Sequence, residues 1–203
     1  YGRYNTTYAW TLGIISTILI IFFRMRYSYS TMFKDNTVWD QIKNIWEIIK
    51  KNAKMIIVAC NTATAMALEE LKSNFKDTPI IGVIEPGSIQ ASLDSINKMI
   101  GVIGTVATIK SGAYRHALKS IDNNINVYSK DCPLFVPFVE EGMIDGEAID
   151  LIVEHYLSSF QNNVDTMILG CTHYPLLEPV IKKYVRGIKL VDSASAVAKH
   201  ADK

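Results

Sequence analysis

From residue 55 to residue 193, short apolar runs alternate with segments that have the spacing of amphipathic helices. Each run is five to seven residues long and carries isoleucine or valine, which is typical of a parallel strand buried on both faces. The runs are MIIVAC (55–60), IIGVI (80–84), MIGVIGT (99–105), INVYS (125–129), TMILGC (166–171) and IKLVDS (188–193). Strands that alternate with helices predict an α/β protein with parallel sheets.

Helices are predicted before, between and after these strands. The segment DQIKNIWEIIKK (40–51) places four isoleucines at helical spacing, and its final lysines suit the negative end of a helix dipole. Further helices are predicted at 63–72, 111–120, 146–160 and 177–184, with a closing helix after residue 193.

Two of the predicted strands end in a cysteine that small polar residues follow. Cys60 is followed by Asn61 and Thr62, and Cys171 is followed by Thr172. This internal echo predicts two similar lobes, each a parallel sheet flanked by helices, with the active site in the cleft between them. The predicted first lobe comprises 37–97 and 186–203, and the second comprises 98–185.

The first 36 residues are unassigned. Residues 10–23 read WTLGIISTILIIFF without a charge, which is shorter than the roughly 20 residues that a membrane-spanning helix needs. A buried strand or helix, a membrane anchor and sequence foreign to the native fold remain open for this segment. We do not expect a membrane partner for the rest of the chain.

The charge and cysteine content exclude several classes of protein. The formal net charge is +1, which gives no electrostatic reason to expect a nucleic-acid partner. Three cysteines, none in a CxxC pair, do not form a disulfide framework in 203 residues. We therefore expect a reducing, cytoplasmic setting in which the cysteines are thiols.

The positions of Cys60 and Cys171 favour chemistry over simple packing. In parallel sheets, ligands bind beyond the carboxyl ends of the strands, where helix N-termini favour anions and thiolates. Two thiols on opposite faces of a carbon can invert its configuration, since one removes a proton as thiolate and the other returns a proton as thiol. The alternative is that both are buried core cysteines.

No cofactor or metal is predicted. The four histidines, at 116, 155, 173 and 200, are scattered and show no metal-ligand spacing. No lysine Schiff-base motif or phosphate-cradling glycine loop indicates pyridoxal phosphate.

Several motifs, in order, resemble those of glutamate racemases. They are IIVACNTATA (56–65), GVIEPG (82–87), GVIGTVATIKSGAY (101–114), CPLFVPFVEEG (132–142), ILGCTHYPLL (168–177) and LVDSASAVA (190–198). The likeness runs from about residue 54 to the C-terminus. It implies cofactor-independent racemisation of glutamate in the cytoplasm, which supplies D-glutamate for peptidoglycan, and family members are often homodimers.

The resemblance also implies residue roles. Cys60 would handle the α-proton of D-glutamate and Cys171 that of L-glutamate. His173 would assist Cys171, and Glu140 would lie near that side. The α-carboxylate and amino groups of the substrate would be held by Asn61, Thr62, Thr172 and His173. Cys132 is expected to be a core residue.

The chain departs from the family pattern at its beginning. Racemases of this family open with an Asp-Ser-Gly turn whose aspartate supports the first cysteine, and the first fifty residues here contain none. Tyr1 and Gly2 would correspond to a later Pro-Tyr-Gly that contributes to substrate binding. We therefore expect the chain as given to be weakly active or inactive.

Two alternatives remain open beside glutamate racemisation. One is a racemase-like protein without activity, kept as an interaction module or as a remnant, which the unaligned residues 3–36 favour and the intact cysteine motifs oppose. The other is a racemase of another acidic amino acid such as aspartate, which the histidine after Cys171 and Thr172 opposes.

Overall fold

The computed structural model describes residues 54–201. The predicted helix at 40–51, the apolar segment 10–23 and Tyr1 and Gly2 lie outside the described residues. Within 54–201, no helix is both long enough and apolar enough to cross a lipid bilayer.

The described part of the chain begins with a two-stranded sheet. Strands β1 (Ile56–Val58) and β2 (Ile80–Gly82) pair with each other, and helix α1 (Asn61–Asn74) lies between them in sequence. Ile56 and Val58 are buried and alternate with the partly exposed residue 57, the period-two pattern of a strand.

A four-stranded parallel sheet follows, with strand order β4-β3-β5-β6. Its strands are β3 (Met99–Gly104), β4 (Asn126–Asp131), β5 (Thr166–Gly170) and β6 (Lys189–Asp192). In the central pair, Gly104 at the end of β3 lies opposite Gly170 at the end of β5. Because the strands are parallel, the segments that follow β3 and β5 start at the same edge of the sheet.

Helices connect these strands. They are α2 (Ile84–Asp94), α3 (Val106–Lys110), α4 (Ala113–Ile121), α5 (Phe135–Glu140), α6 (Glu147–Leu157), α7 (Glu178–Tyr184) and α8 (Ser193–Ala201), with short 3₁₀ turns at Ser158–Phe160 and Tyr174–Leu177. Helix α8 is capped by Asp192, whose carboxylate accepts from the Ala194 and Ser195 N–H groups at 3.0 Å each. Such a cap satisfies helix donors that have no partner within the helix.

The two central strands of this sheet, β3 and β5, are buried on both faces. Met167 and Leu169 of β5 belong to one apolar cluster, whereas Ile168 between them belongs to another. The first cluster includes Phe135 of α5, which packs edge-to-face against Tyr156 and Tyr174 at ring-centroid distances of 5.4 and 5.1 Å. This two-sided burial explains why the sequences of β3 and β5 are nearly continuous apolar runs.

The α/β class with parallel strands is confirmed, with corrections to individual elements. The predicted strand at 80–84 ends at Gly82, and Ile84 begins helix α2. Neither α2 nor α5 was predicted, because Pro86, Gly87 and Pro137 weaken the helical signal. Proline is tolerated in the first turn of a helix, where its missing N–H has no intrahelical partner.

The division of the chain differs from the predicted one. Of the described residues, 54–58 and 67–81 form one compact unit, and 59–66 and 82–201 form the other. The prediction placed 186–203 in the first lobe, yet β6 is hydrogen-bonded to β5 and so belongs to the four-stranded sheet. Sequence order alone does not reveal which strand a new strand will pair with.

Gly170 marks a close approach between strands β3 and β5. A Cβ atom at this position would lie 2.6 Å from the carbonyl oxygen of Ile103 and 3.1 Å from the Tyr114 ring. Neither the strand backbone nor a buried ring moves easily, so only glycine fits directly before Cys171.

Two glycine-to-alanine substitutions should therefore have opposite effects. Gly170→Ala should lower the free energy of unfolding by about 2 kcal/mol, the usual cost of forcing extra volume into a packed core. A Cβ on Gly87 would meet nothing closer than 3.5 Å, so Gly87→Ala in helix α2 should raise stability by about 0.5–1 kcal/mol. Urea unfolding of both variants measures this, and equal effects would contradict the account.

Candidate active site

Cys60 lies at the start of helix α1, after β1. Its carbonyl oxygen accepts from the Thr64 N–H at 2.9 Å, and its sulfur accepts from the Ala63 N–H at 3.5 Å. The sulfur thus occupies the place of a helix N-cap side chain. A backbone N–H and the positive end of a fourteen-residue helix stabilise negative charge on it.

Cys171 directly follows β5 and is 7% exposed. Burial raises the pKa of its thiol to about 11, a rise that the backbone hydrogen bond of His173 opposes. The charges of Cys60 and Glu140 raise it further, and a hydrogen bond with the Thr172 side chain lowers it. With its pKa raised in this way, Cys171 is a neutral thiol at neutral pH.

His173 and Glu140 form a series of contacts that leads from Cys171 towards the protein surface. The sulfur lies 3.8 Å from His173 Nδ1, and His173 Nε2 lies 3.5 Å from Glu140 Oε1. The histidine and glutamate side chains are 35% and 63% exposed, so solvent screens their attraction and it adds little to stability. The arrangement offers a path for a proton between Cys171 and the surface.

Thr62 meets two threonines that follow β3. The Thr62 hydroxyl lies 2.9 Å from that of Thr105 and 3.0 Å from that of Thr108, which are themselves 3.0 Å apart. Thr105 also caps helix α3 by accepting from the Thr108 N–H at 3.2 Å. The sequence analysis included both threonines in the motif 101–114 but did not predict a role for them. Their position directly after a predicted strand could have marked them as candidate site residues.

Asn61 is held by its neighbours. Its side chain donates to Ser193 Oγ at 3.2 Å and accepts from the Tyr114 hydroxyl at 2.5 Å. Asn61, Tyr114 and Ser193 are each at most 2% exposed. Sequence reasoning named Asn61 but not the two residues that orient it.

The remaining candidates are placed as follows. Cys132 is fully buried in the core, where burial raises the pKa of its thiol, so it is not a reactive group. Tyr1 and Gly2 lie outside the described residues, and their predicted contribution to substrate binding stays a prediction. Within 54–201, no group of three or more His, Cys, Asp or Glu side chains is placed to hold a metal ion.

The family model for Asp/Glu/hydantoin racemases matches residues 23–201. The chain belongs to this racemase family. It is 58% identical over 149 residues to a glutamate racemase of Aquifex aeolicus, a match that covers 73% of the chain and 58% of that relative. It is 47% identical over 173 residues to that of Aquifex pyrophilus, covering 85% and 67%. The chain thus spans about three fifths of the length of the first of these relatives.

Solved structures of glutamate racemases share the fold. The enzyme RacE1 of Bacillus anthracis aligns with a TM-score of 0.74 at 35% identity, covering 87% of this chain and 67% of that one. The enzyme of Francisella tularensis, solved in complex with D-glutamate, aligns with a TM-score of 0.72 at 32% identity, covering 93% and 76%. The predicted membership in the aspartate and glutamate racemase family is therefore confirmed.

In this family member, the charge of Glu140 should tune Cys171. Because a nearby negative charge disfavours a thiolate, Glu140→Gln should lower the pKa of Cys171 below about 11. The iodoacetamide reaction of Cys171, followed by peptide mass spectrometry between pH 8 and 11, should then become faster at each pH. The exposed neighbour Glu141 provides the control, and Glu141→Gln should leave the profile unchanged.

High salt should shrink the difference between Glu140→Gln and the parent, since the pair is partly exposed. Identical profiles for both glutamine variants at low salt would show that Glu140 does not act on Cys171.

Proposed function

We propose that this chain interconverts the enantiomers of glutamate by moving the α-proton between two thiols, without a cofactor. The observation that carries the proposal is that Tyr114 contacts the residues beside both cysteines: its hydroxyl lies 2.5 Å from Asn61 Oδ1, and its ring lies against Gly170. The family membership and the D-glutamate bound in the Francisella tularensis relative support glutamate as the substrate. The expected role, as the family resemblance implies, is the cytoplasmic supply of D-glutamate for peptidoglycan.

The two thiols have different roles in the reaction. Cys60, with the Ala63 N–H directed at its sulfur, acts as the base that removes the α-proton of D-glutamate. The electron pair of the broken C–H bond stays on the substrate as an enolate-like carbanion. Cys171, a neutral thiol because it is buried, then donates its proton to the opposite face and forms L-glutamate.

The reverse direction needs Cys171 as the thiolate. His173, 3.8 Å from its sulfur, accepts the proton and is in turn supported by Glu140. The charged imidazole then stabilises the thiolate that attacks the α-proton of L-glutamate. The two directions therefore use different partners, which agrees with the roles that the sequence resemblance implies for each cysteine.

Hydroxyl groups hold the substrate. Thr62, Thr105 and Thr108 present three hydroxyls within 3.0 Å of one another, and Thr172 lies beside Cys171. Hydroxyl donors stabilise both a carboxylate and the negative charge that develops on it as the α-proton leaves. The same hydroxyl oxygens can accept hydrogen bonds from the α-amino group.

Removing either active thiol should abolish racemisation. Cys60→Ser and Cys171→Ser should each lower kcat at least about a hundredfold, because a hydroxyl is a far weaker acid than a thiol and each loss removes one acid–base partner. Circular dichroism of purified D- and L-glutamate measures the rate in both directions.

Cys132→Ala is the matched control, since it removes the third thiol from the core and should leave the rate per folded molecule unchanged. Aspartate is assayed in parallel. Racemisation of aspartate in place of glutamate would overturn the substrate assignment, and racemisation that survives both serine variants would overturn the mechanism.

A further inference from the structure

Tyr114 contacts the segments of both cysteines. Its hydroxyl donates to Asn61 Oδ1 at 2.5 Å, and Asn61 is the residue after Cys60. Its ring lies over Gly170, the residue before Cys171, where a Cβ atom would come within 3.1 Å of the ring. One buried side chain of helix α4 thus lies between the residues that flank the two thiols.

Ser193 completes a ring of hydrogen bonds around Asn61. The Asn61 amide donates to Ser193 Oγ, and Ser193 forms a hydrogen bond with Tyr114 that opposes the effect of burial on the pKa of Tyr114. Burial raises that pKa, so Tyr114 keeps its proton and remains a donor to Asn61.

The ring is anchored on rigid elements. Tyr114 lies in helix α4 and Ser193 in helix α8, and both helices pack against α2. Gly87 of α2 faces them, since a Cβ there would lie 3.5 Å from the Tyr114 hydroxyl and 3.8 Å from Ser193 Cβ. Packing of this kind restricts movement of the Tyr114 ring.

We propose that Tyr114, locked by Ser193, is a positioning residue that sets the separation of Cys60 and Cys171. The hydroxyl fixes Asn61 and with it the first turn of helix α1, and the ring fixes the end of strand β5. This inference rests on the proposed function, because a two-thiol transfer works only when both sulfur atoms reach one carbon. A displacement of about 1 Å can cost a hundredfold in rate.

Crosslinking measures the separation without any need for activity. In a Cys132→Ala background, Cys60 and Cys171 are the two remaining thiols of the chain. Dibromobimane, a short reagent that fluoresces on joining two thiols, reports whether they lie within its reach, and peptide mass spectrometry identifies the joined residues. Tyr114→Phe keeps the ring over Gly170 and removes only the hydroxyl that holds Asn61.

Tyr114→Phe should slow this crosslinking about fivefold or more and lower kcat for glutamate roughly tenfold, with KM within about twofold. Tyr156→Phe is the control, because it also removes the hydroxyl of a buried tyrosine, one that is hydrogen-bonded to the Leu134 backbone. It should change neither quantity, although both variants lose a tyrosine hydroxyl and its hydrogen bond. Ser193→Ala should act in the same direction as Tyr114→Phe, and it decides the matter if Tyr114→Phe does not fold.

The outcomes separate the two claims. Crosslinking and kcat unchanged from the parent in both Tyr114→Phe and Ser193→Ala would overturn the positioning role while leaving the two-thiol site intact. A parent that crosslinks but does not racemise glutamate would contradict the proposed function, and the crosslinking rates would still decide the role of Tyr114. A parent that does not crosslink would overturn both.

Discussion

The pairing of β3 with β5 is the constraint on which the site depends. Gly104 and Gly170 end these parallel strands opposite each other, and the carbonyl of Ile103 leaves no room for a side chain at Gly170. Cys171 therefore starts at the same edge of the sheet as Thr105. A larger residue at Gly170 would push the ends of β3 and β5 apart. The Thr105 hydroxyl and the Cys171 thiol, which follow these strands, would then move away from each other.

The two thiols differ because their surroundings differ. Cys60 is partly exposed at a helix N-terminus, where a backbone N–H points at its sulfur. Cys171 is buried, which raises its pKa to about 11, and the path through His173 to Glu140 gives its proton a way out. The proposed proton transfer between two faces of a carbon needs one base and one acid, and two thiols in such different surroundings suit these two roles.

The sequence predicted the fold and the cysteine pair but not their supports. Apolar runs such as that of β5 are strong signals, because a strand buried on both faces has to be apolar throughout. The pairing of β6 with β5 is a tertiary choice that no local pattern encodes, so 186–203 were assigned to the other lobe. Tyr114 and Ser193 escaped notice for a similar reason, since they are distant in sequence from Asn61 and only the fold brings them to it.

The central claim is that two sulfur atoms serve opposite faces of the same carbon. Its most direct test is the deuterium content of glutamate at early conversion of D-glutamate in deuterium oxide. A two-thiol transfer predicts that the L-glutamate formed carries deuterium at Cα while the remaining D-glutamate still carries protium, because different groups remove and return the proton. L-glutamate that retains the original proton would mean that a single group serves both faces, and the account would be contradicted.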